Sequence, residues 1–216
     1  LRKKEIKQVK EGIVVIGAGG HAKVVISTLM AAGYSVDSVL DDNPTKWGSE
    51  IMGYKIQGPI SRLEEYKPAV IAIGDNKTRQ AIALKMSHLS WVTVVHPHSY
   101  VHPSVKIGLG TVVFAGAVIQ PDTIIGRHSI INTGVTIDHD CHIGDFVHLA
   151  PGVNLAGDVS IGEGSFLGLG SGVIMGKSVG AWSIIGAGGM VISHIPPHSK
   201  ATGVPAKVKI EGEIEI

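Results

Sequence analysis

Cysteine is nearly absent: the 216-residue chain holds one, Cys141. A single thiol cannot bridge within the chain or assemble a cysteine-based metal site, and it fits a reducing compartment. An excess of either charge is missing too. Nineteen Lys and Arg face eighteen Asp and Glu, a formal net charge of +1, so neither a nucleic-acid footprint nor a polybasic membrane anchor is expected. No apolar run approaches the roughly 20 residues that span a bilayer, although 44% of the chain is hydrophobic. The opening stretch Leu1–Lys10 is charged and runs into the short apolar segment Ile13–Ile16, too brief for a signal-peptide core. The expected compartment is the cytoplasm. Aromatics are only 5% of residues while glycine reaches 29, so the core must be aliphatic and the backbone glycine-punctuated.

What the chain does have is a period. From Val95 to Val191 every sixth residue is aliphatic, seventeen hexads without a break. Four positions after each aliphatic stands a small or β-branched residue, such as Thr111, Ser129, Val135, Cys141 and Ser165, until Lys177 interrupts. Glycine recurs directly after the aliphatic, as at Gly126, Gly144 and Gly162, where tight corners with unusual dihedrals are expected. Six residues match neither a 3.6-residue helix nor an alternating hairpin sheet. They match a coil with three flat walls, in which residues 18 apart stack at the strand spacing of about 4.8 Å. On these hexads, and on the closing segment from Ile195 to Lys207, the sequence resembles the hexapeptide-repeat acyltransferases. The resemblance implies a left-handed parallel β-helix over residues 95–216.

Residues 1–94 read differently. Gly12–Ile16 is an apolar strand, followed by the turn Gly17-Ala18-Gly19-Gly20-His21 and a helical pattern through Val24, Val25, Leu29 and Met30. Further strands are expected at Val36–Leu40, Val70–Ile73 and Trp91–Val95, with a helix over Thr78–Met86. Strands alternating with helices argue for a small Rossmann-like parallel sheet. The glycine turn offers backbone N–H groups and a helix N-terminus to a phosphate or carboxylate, or it is simply a tight turn. Ala22 stands where a full dinucleotide fingerprint has its third glycine, and Asp41 follows at the distance that ribose recognition wants. Against NAD stands the absence of a second catalytic half.

A small sheet ahead of such a prism resembles the sugar O- and N-acetyltransferases of the bacillosamine, perosamine and sialic-acid type. That resemblance implies that the first domain holds a nucleotide-linked sugar through Gly19, Gly20, His21, Asp41, Asp42 and Gly74. It implies further that Asn132 lies near the sugar and that His148 contacts the acetyl donor. Acetyl-CoA as co-substrate is expected beside Gly157, Leu169 and Ala187, in a groove between the prisms of a homotrimer, with no metal, nucleic acid or membrane as partner and a role in polysaccharide biosynthesis.

The chemistry can be sought in the residues themselves. Acetyl transfer to an amine or hydroxyl needs a base for the acceptor's proton. Asp138-His139-Asp140-Cys141-His142 is the one imidazole- and carboxylate-rich stretch among bland hexads. His139 is the candidate base and Asp140 its support, since a carboxylate raises imidazole basicity and fixes its tautomer. The family often has Glu at the second position, one methylene longer. Stacking places Gly157 one coil below His139, leaving space there for a ligand, and sets Asp122, Asp140 and Asp158 in one column. Cys141 falls in the inward column, so a covalent thiol mechanism is not expected. The expected activity is direct N-acetylation of a nucleotide-linked 4-amino-4,6-dideoxy sugar. O-acetylation of sialic acid or a related sugar is the enzymatic alternative, and an inert scaffold or a zinc prism the alternative of another class.

Overall fold

The computed structural model describes residues 10–63 and 67–209, so most of the charged opening stretch lies outside the described residues. The first lobe is a three-stranded parallel sheet built from β1 (Lys10–Ile16), β2 (Tyr34–Leu40) and β5 (Ala69–Ile71), in the order β2-β1-β5. A small hairpin, β3 (Glu50–Ile51) and β4 (Tyr54–Lys55), lies between β2 and β5 in sequence. Helix α1 (Gly20–Ala31) follows β1, and α2 (Asn76–Lys85) follows β5. Alternation decides the packing. Ile13 and Val15 pack with Val25, Ile26 and Leu29 of α1, while Val14 and Ile16 pack with Ala83 of α2. The expected strand Trp91–Val95 divides instead. Trp91 makes a single bridge to Ala69, and Val94–Val95 leaves the lobe to pair with Val112–Val113 in the prism.

The prism follows the hexads. Its first wall begins with Val94–Val95, its second with Tyr100–Val101 and its third with Lys106–Ile107, and each wall then gains a strand per coil. Every coil-to-coil pairing runs parallel with an 18-residue offset, as in Ile119↔Ile137 and Ile143↔Ile161, until the closing coil, where Ile185↔Ala201 spans 16. The seventeen aliphatics form one internal column, buried from Val113 to Val191 and partly buried at Val95, Val101 and Ile107. Burying each is worth about 1.5–3 kcal/mol. Most hydroxyls in the small-residue column are paired, Ser171 Oγ being an exception. Thr111 Oγ1 donates to Gly126 O at 2.7 Å, and Ser129 Oγ donates to Gly144 O at 2.8 Å.

The upper part of the first wall is buried on both faces, because its outward residues Val94, Val112 and Ile130 join the core of the first lobe, whereas Ile184 lower on the same wall is exposed. The lobe is thus seated on this wall. No helix among the described residues is long and apolar enough to cross a membrane.

The glycines that follow the aliphatics have a different cause from the one expected. Positive φ belongs to other positions, such as Gly134 at +67°. Gly144 has no such angle; a Cβ there would lie 2.6 Å from the backbone nitrogen of Glu163 in the next coil. Close approach of coils, not turn conformation, excludes a side chain. Gly144→Ala is therefore expected to cost about 1–3 kcal/mol and to lower Tm. Gly134→Asn, which has open space and a residue tolerant of positive φ, should unfold close to wild type. Equal Tm losses in thermal melts would contradict the steric account.

Candidate active site

His139 and Asp140 occupy the edge between the second and third walls. Asp140 has φ +59°, a left-handed turn position that suits Asp, Asn or Gly, and the turn swings its carboxylate back toward the preceding side chain. His139 Nδ1 lies 2.7 Å from Asp140 Oδ2, with both side chains more than half exposed. The shorter Asp therefore reaches. The hydrogen bond to Asp140 is the largest influence raising the His139 pKa above 6.5; slight desolvation opposes it, and the charges of Asp138, Asp140 and Asp158 add to it. With Nδ1 engaged, Nε2 is the nitrogen left to take a proton.

The space expected beside His139 is filled by the imidazole itself. A Cβ on Gly157 would lie 2.6 Å from Cε1 and 2.7 Å from Nε2 of His139. Gly157 is thus the floor on which the ring lies, and this corrects the reading of it as an opening for ligand.

A second group of residues gathers where the first lobe meets the first wall. His148 is 9% exposed. Its Nδ1 donates to Gly74 O at 3.1 Å, and its Nε2 lies 3.2 Å from Asn132 Nδ2. His21 packs against it with ring centroids 5.9 Å apart. Burial pushes both imidazoles down to about 4, helped by the Arg79 charge. They are neutral at physiological pH.

The glycine turn above them is open on one side. Gly17 has φ +104°, and a Cβ there would meet Ile73, whereas Gly19 and Gly20 have nothing within 4 Å of the corresponding position. Helix α1 starts at this turn with no side-chain cap, so its first N–H groups and dipole face that space. The two aspartates brace this site more than they reach into it. Asp41 accepts from Ala18 N at 2.8 Å and Asn43 N at 2.9 Å and pairs with Lys46 at 2.9 Å. Asp42 accepts from Ile60 N at 2.8 Å.

One chain does not bring the predicted residues into a single site. Gly19, Gly20, His21, Gly74, Asn132 and His148 cluster at the seated lobe. His139, Asp140 and Gly157 lie on the edge opposite the first wall. Leu169 and Ala187 stack on the edge between the first and second walls, where Gly188 N donates to Leu169 O. Cys141 points inward and donates to Ala156 O at 3.2 Å, its thiol raised to about 11 by burial. A cavity of about 810 Å³ borders the His148 cluster, between α2 and the lower first wall, with Gly74, Asn76, Phe166, Trp182 and Lys200 in its lining. Sequence reasoning missed Arg79, whose helical context Asn76-Lys77-Thr78-Arg79-Gln80 looks like any solvated surface.

The family model described as PglD N-terminal domain matches residues 12–86. Perosamine N-acetyltransferase from Caulobacter crescentus, solved in complex with CoA and GDP-perosamine, is 43% identical, with 93% of this chain and 97% of that chain covered and a TM-score of 0.86. The chain belongs to this family of sugar N-acetyltransferases. The acetyltransferase domain of PglB from Neisseria gonorrhoeae is 32% identical over 93% of this chain and all of that one, with a TM-score of 0.87. UDP-N-acetylbacillosamine N-acetyltransferase of Bacillus subtilis is 40% identical over 114 residues, a stretch that spans 52% of that relative and 49% of this chain. The fold is accordingly a small Rossmann-like α/β lobe followed by the family's left-handed parallel β-helix.

Two outcomes follow from the site's geometry. Gly157→Ala should displace the His139 ring and lower kcat by at least roughly tenfold while the KM for the acyl donor changes little; an effect on that KM alone would return Gly157 to a donor-binding role. His21, His128 and His148, all held at about 4, protonate in the unfolded chain near 6.5 but not in the folded one. Stability should therefore fall as pH drops from 6.5 toward 4, by about 1.4 kcal/mol per pH unit for each histidine. Denaturant melts at pH 7 and pH 5 measure this, and equal stability at the two would contradict burial of the neutral rings.

Proposed function

We propose that the protein transfers the acetyl group of acetyl-CoA to the 4-amino group of a nucleotide-linked 4-amino-4,6-dideoxy sugar. The observation that carries this reading is the 2.7 Å bond between His139 Nδ1 and Asp140 Oδ2 on an exposed edge, in a chain 43% identical to an enzyme solved with CoA and GDP-perosamine. The amine nitrogen attacks the thioester carbonyl carbon, His139 Nε2 takes the proton from nitrogen, and the C–S bond breaks to release CoA as thiolate, which is then protonated. Asp140 stabilises the imidazolium formed on the way. Transfer is direct, within a ternary complex, since Cys141 is turned into the core and kept protonated.

Residues 1–94 serve in this reading as the nucleotide-sugar lobe, through Gly19, Gly20, His21 and Gly74, with Asp41 and Asp42 holding the loops around the nucleotide. Residues 95–216 serve as the acetyltransferase prism. The sugar's reacting end lies near Asn132 and His148, and Leu169, Ala187 and His148 line the path of CoA.

These parts face each other only across two copies of the chain. The edge carrying His139 of one prism meets the seated lobe of the next, and three copies close the ring as a cyclic trimer. Support comes from both edges of the second wall, where Leu169 is 60% and Met175 69% exposed, large apolar surface for a lone chain. We place the enzyme in the cytoplasm, where acetyl-CoA and nucleotide sugars are made and a free thiol stays reduced.

His139→Ala should reduce kcat by on the order of 10² to 10⁴ with acetyl-CoA affinity little changed, read as free-thiol release with a panel of nucleotide-linked 4-amino sugars. The reaction needs neutral imidazole, so activity is lost as pH falls through the raised His139 pKa. Asp140→Asn should move that acid limb downward, toward the ordinary imidazole range, while lowering the plateau. Unchanged turnover in His139→Ala removes it as the base.

A further inference from the structure

Arg79 is 1% exposed, among the most buried side chains of the molecule. A guanidinium has five N–H donors, and all five are used. Nε–H donates to His128 O at 2.7 Å, Nη1 to Ile73 O at 3.0 Å and Gly74 O at 3.2 Å, and Nη2 to Asn76 Oδ1 at 2.7 Å and Phe146 O at 2.8 Å. Every acceptor is neutral. Desolvation pulls the Arg79 pKa down to about 10, so the group is a buried cation at physiological pH without a carboxylate on any of its donors. Such a charge is costly unless it is fully hydrogen-bonded, and only a planar five-donor fork can reach this set. A clamp between lobe and prism would need the bonds to His128 and Phe146. It would not need those to Ile73 and Gly74, which lie just past the end of β5, with the Gly74 carbonyl against His148.

The Gly74 carbonyl accepts from two sides, from Arg79 and from His148 Nδ1 at 3.1 Å. A carbonyl cannot donate, so the proton of neutral His148 must be on Nδ1. Nε2 is then an acceptor, and Asn132 meets it with its amide nitrogen at 3.2 Å, its oxygen being taken by Thr133 N at 2.8 Å. The line Arg79, Gly74, His148, Asn132 is thus directional from end to end.

We propose that Arg79 is a positioning residue that pins the Gly74 carbonyl and thereby fixes His148 as the Nδ1–H tautomer, so that its Nε2 holds the Asn132 amide group and leaves the second Asn132 N–H for an acceptor oxygen of the sugar. The kinetic arm of this proposal rests on the acetyltransferase reading given above; the tautomer does not. Long-range ¹H–¹⁵N spectra of histidine-labelled protein, with the His148 signals assigned by their loss in His148→Gln, read the tautomer directly. Wild type should show Nδ1–H for His148. In Arg79→Gln the tautomers should mix, and the KM for the nucleotide-linked amino sugar should rise about 10- to 100-fold, at least about fivefold more than the KM for acetyl-CoA, whose path His148 also borders. Arg79→Lys keeps the charge but cannot span the five acceptors, so it should recover only part of the loss. An Nε2–H tautomer in wild type, an unaltered tautomer in a folded Arg79→Gln, or a parallel rise in both KM values overturns the proposal. Should Arg79→Gln not fold, the wild-type spectrum and Arg79→Lys still decide. Absence of acetyl transfer by wild type would sink the functional reading and leave the spectrum to judge Arg79.

Discussion

Successive coils of the prism lie one strand spacing apart, about 4.8 Å, and nearly every feature of the second half follows from how little room that leaves. Inside, an aliphatic column fills the triangle and a column of small residues fills its corners, with hydroxyls returned to carbonyls 15 residues on. At the third wall the backbones come so close that Gly126 and Gly144 admit no Cβ. The same closeness gives His139 its platform, because Gly157 on the next coil leaves the ring room that a Cβ would fill. The geometry that builds the core also positions this imidazole.

The prism could be read from the chain because its constraint repeats: one aliphatic per wall, per coil, leaves a period that no other architecture requires. The dyad could be read because two adjacent polar residues with a chemical relationship stand in a monotonous background. Other features lacked any such signal. The doubly buried upper part of the first wall was encoded in the paired apolar residues Val94-Val95, Val112-Val113 and Ile130-Ile131, but Ile124-Ile125 on the third wall and Ile184-Ile185 lower on the first look the same and their first members are exposed. Arg79 reads as a helical surface residue because what buries it is three segments distant in sequence. The reason for the glycines was misread, since one sequence column cannot distinguish an unusual dihedral from a close neighbour. Asp41 and Asp42 hold backbone N–H groups of the surrounding loops with their carboxylates, a task that composition and spacing do not separate from holding a ligand.

Seating the first lobe on one wall determines where chemistry can occur. The lobe covers the outward face of Val94, Val112 and Ile130 and puts the glycine turn, Gly74 and His148 against the prism. The His139 edge is the corner that this wall does not touch, so a single chain holds the His139–Asp140 pair and the residues gathered around His148 on opposite sides. In the proposed reading the two would meet across a ring, and the bare apolar residues at both rims of the second wall are where such a ring would close.

Two imidazoles within ten residues of each other show how environment assigns roles to the same side chain. His139 is exposed, bonded to a carboxylate and surrounded by Asp138 and Asp158, so its protonated form is favoured and it can accept a proton and keep it. His148 is buried beside the Arg79 cation and bonded to a carbonyl, so its charged form is disfavoured and it can only orient. Exchanging the two surroundings would disable both: an imidazole at the edge without its aspartate would be a weaker base, and one in the cleft beside a carboxylate would carry a charge that repels an ammonium substrate. Proton affinity is thus partitioned between edge and cleft before any ligand arrives, and it is the wall on which each histidine stands that sets the difference.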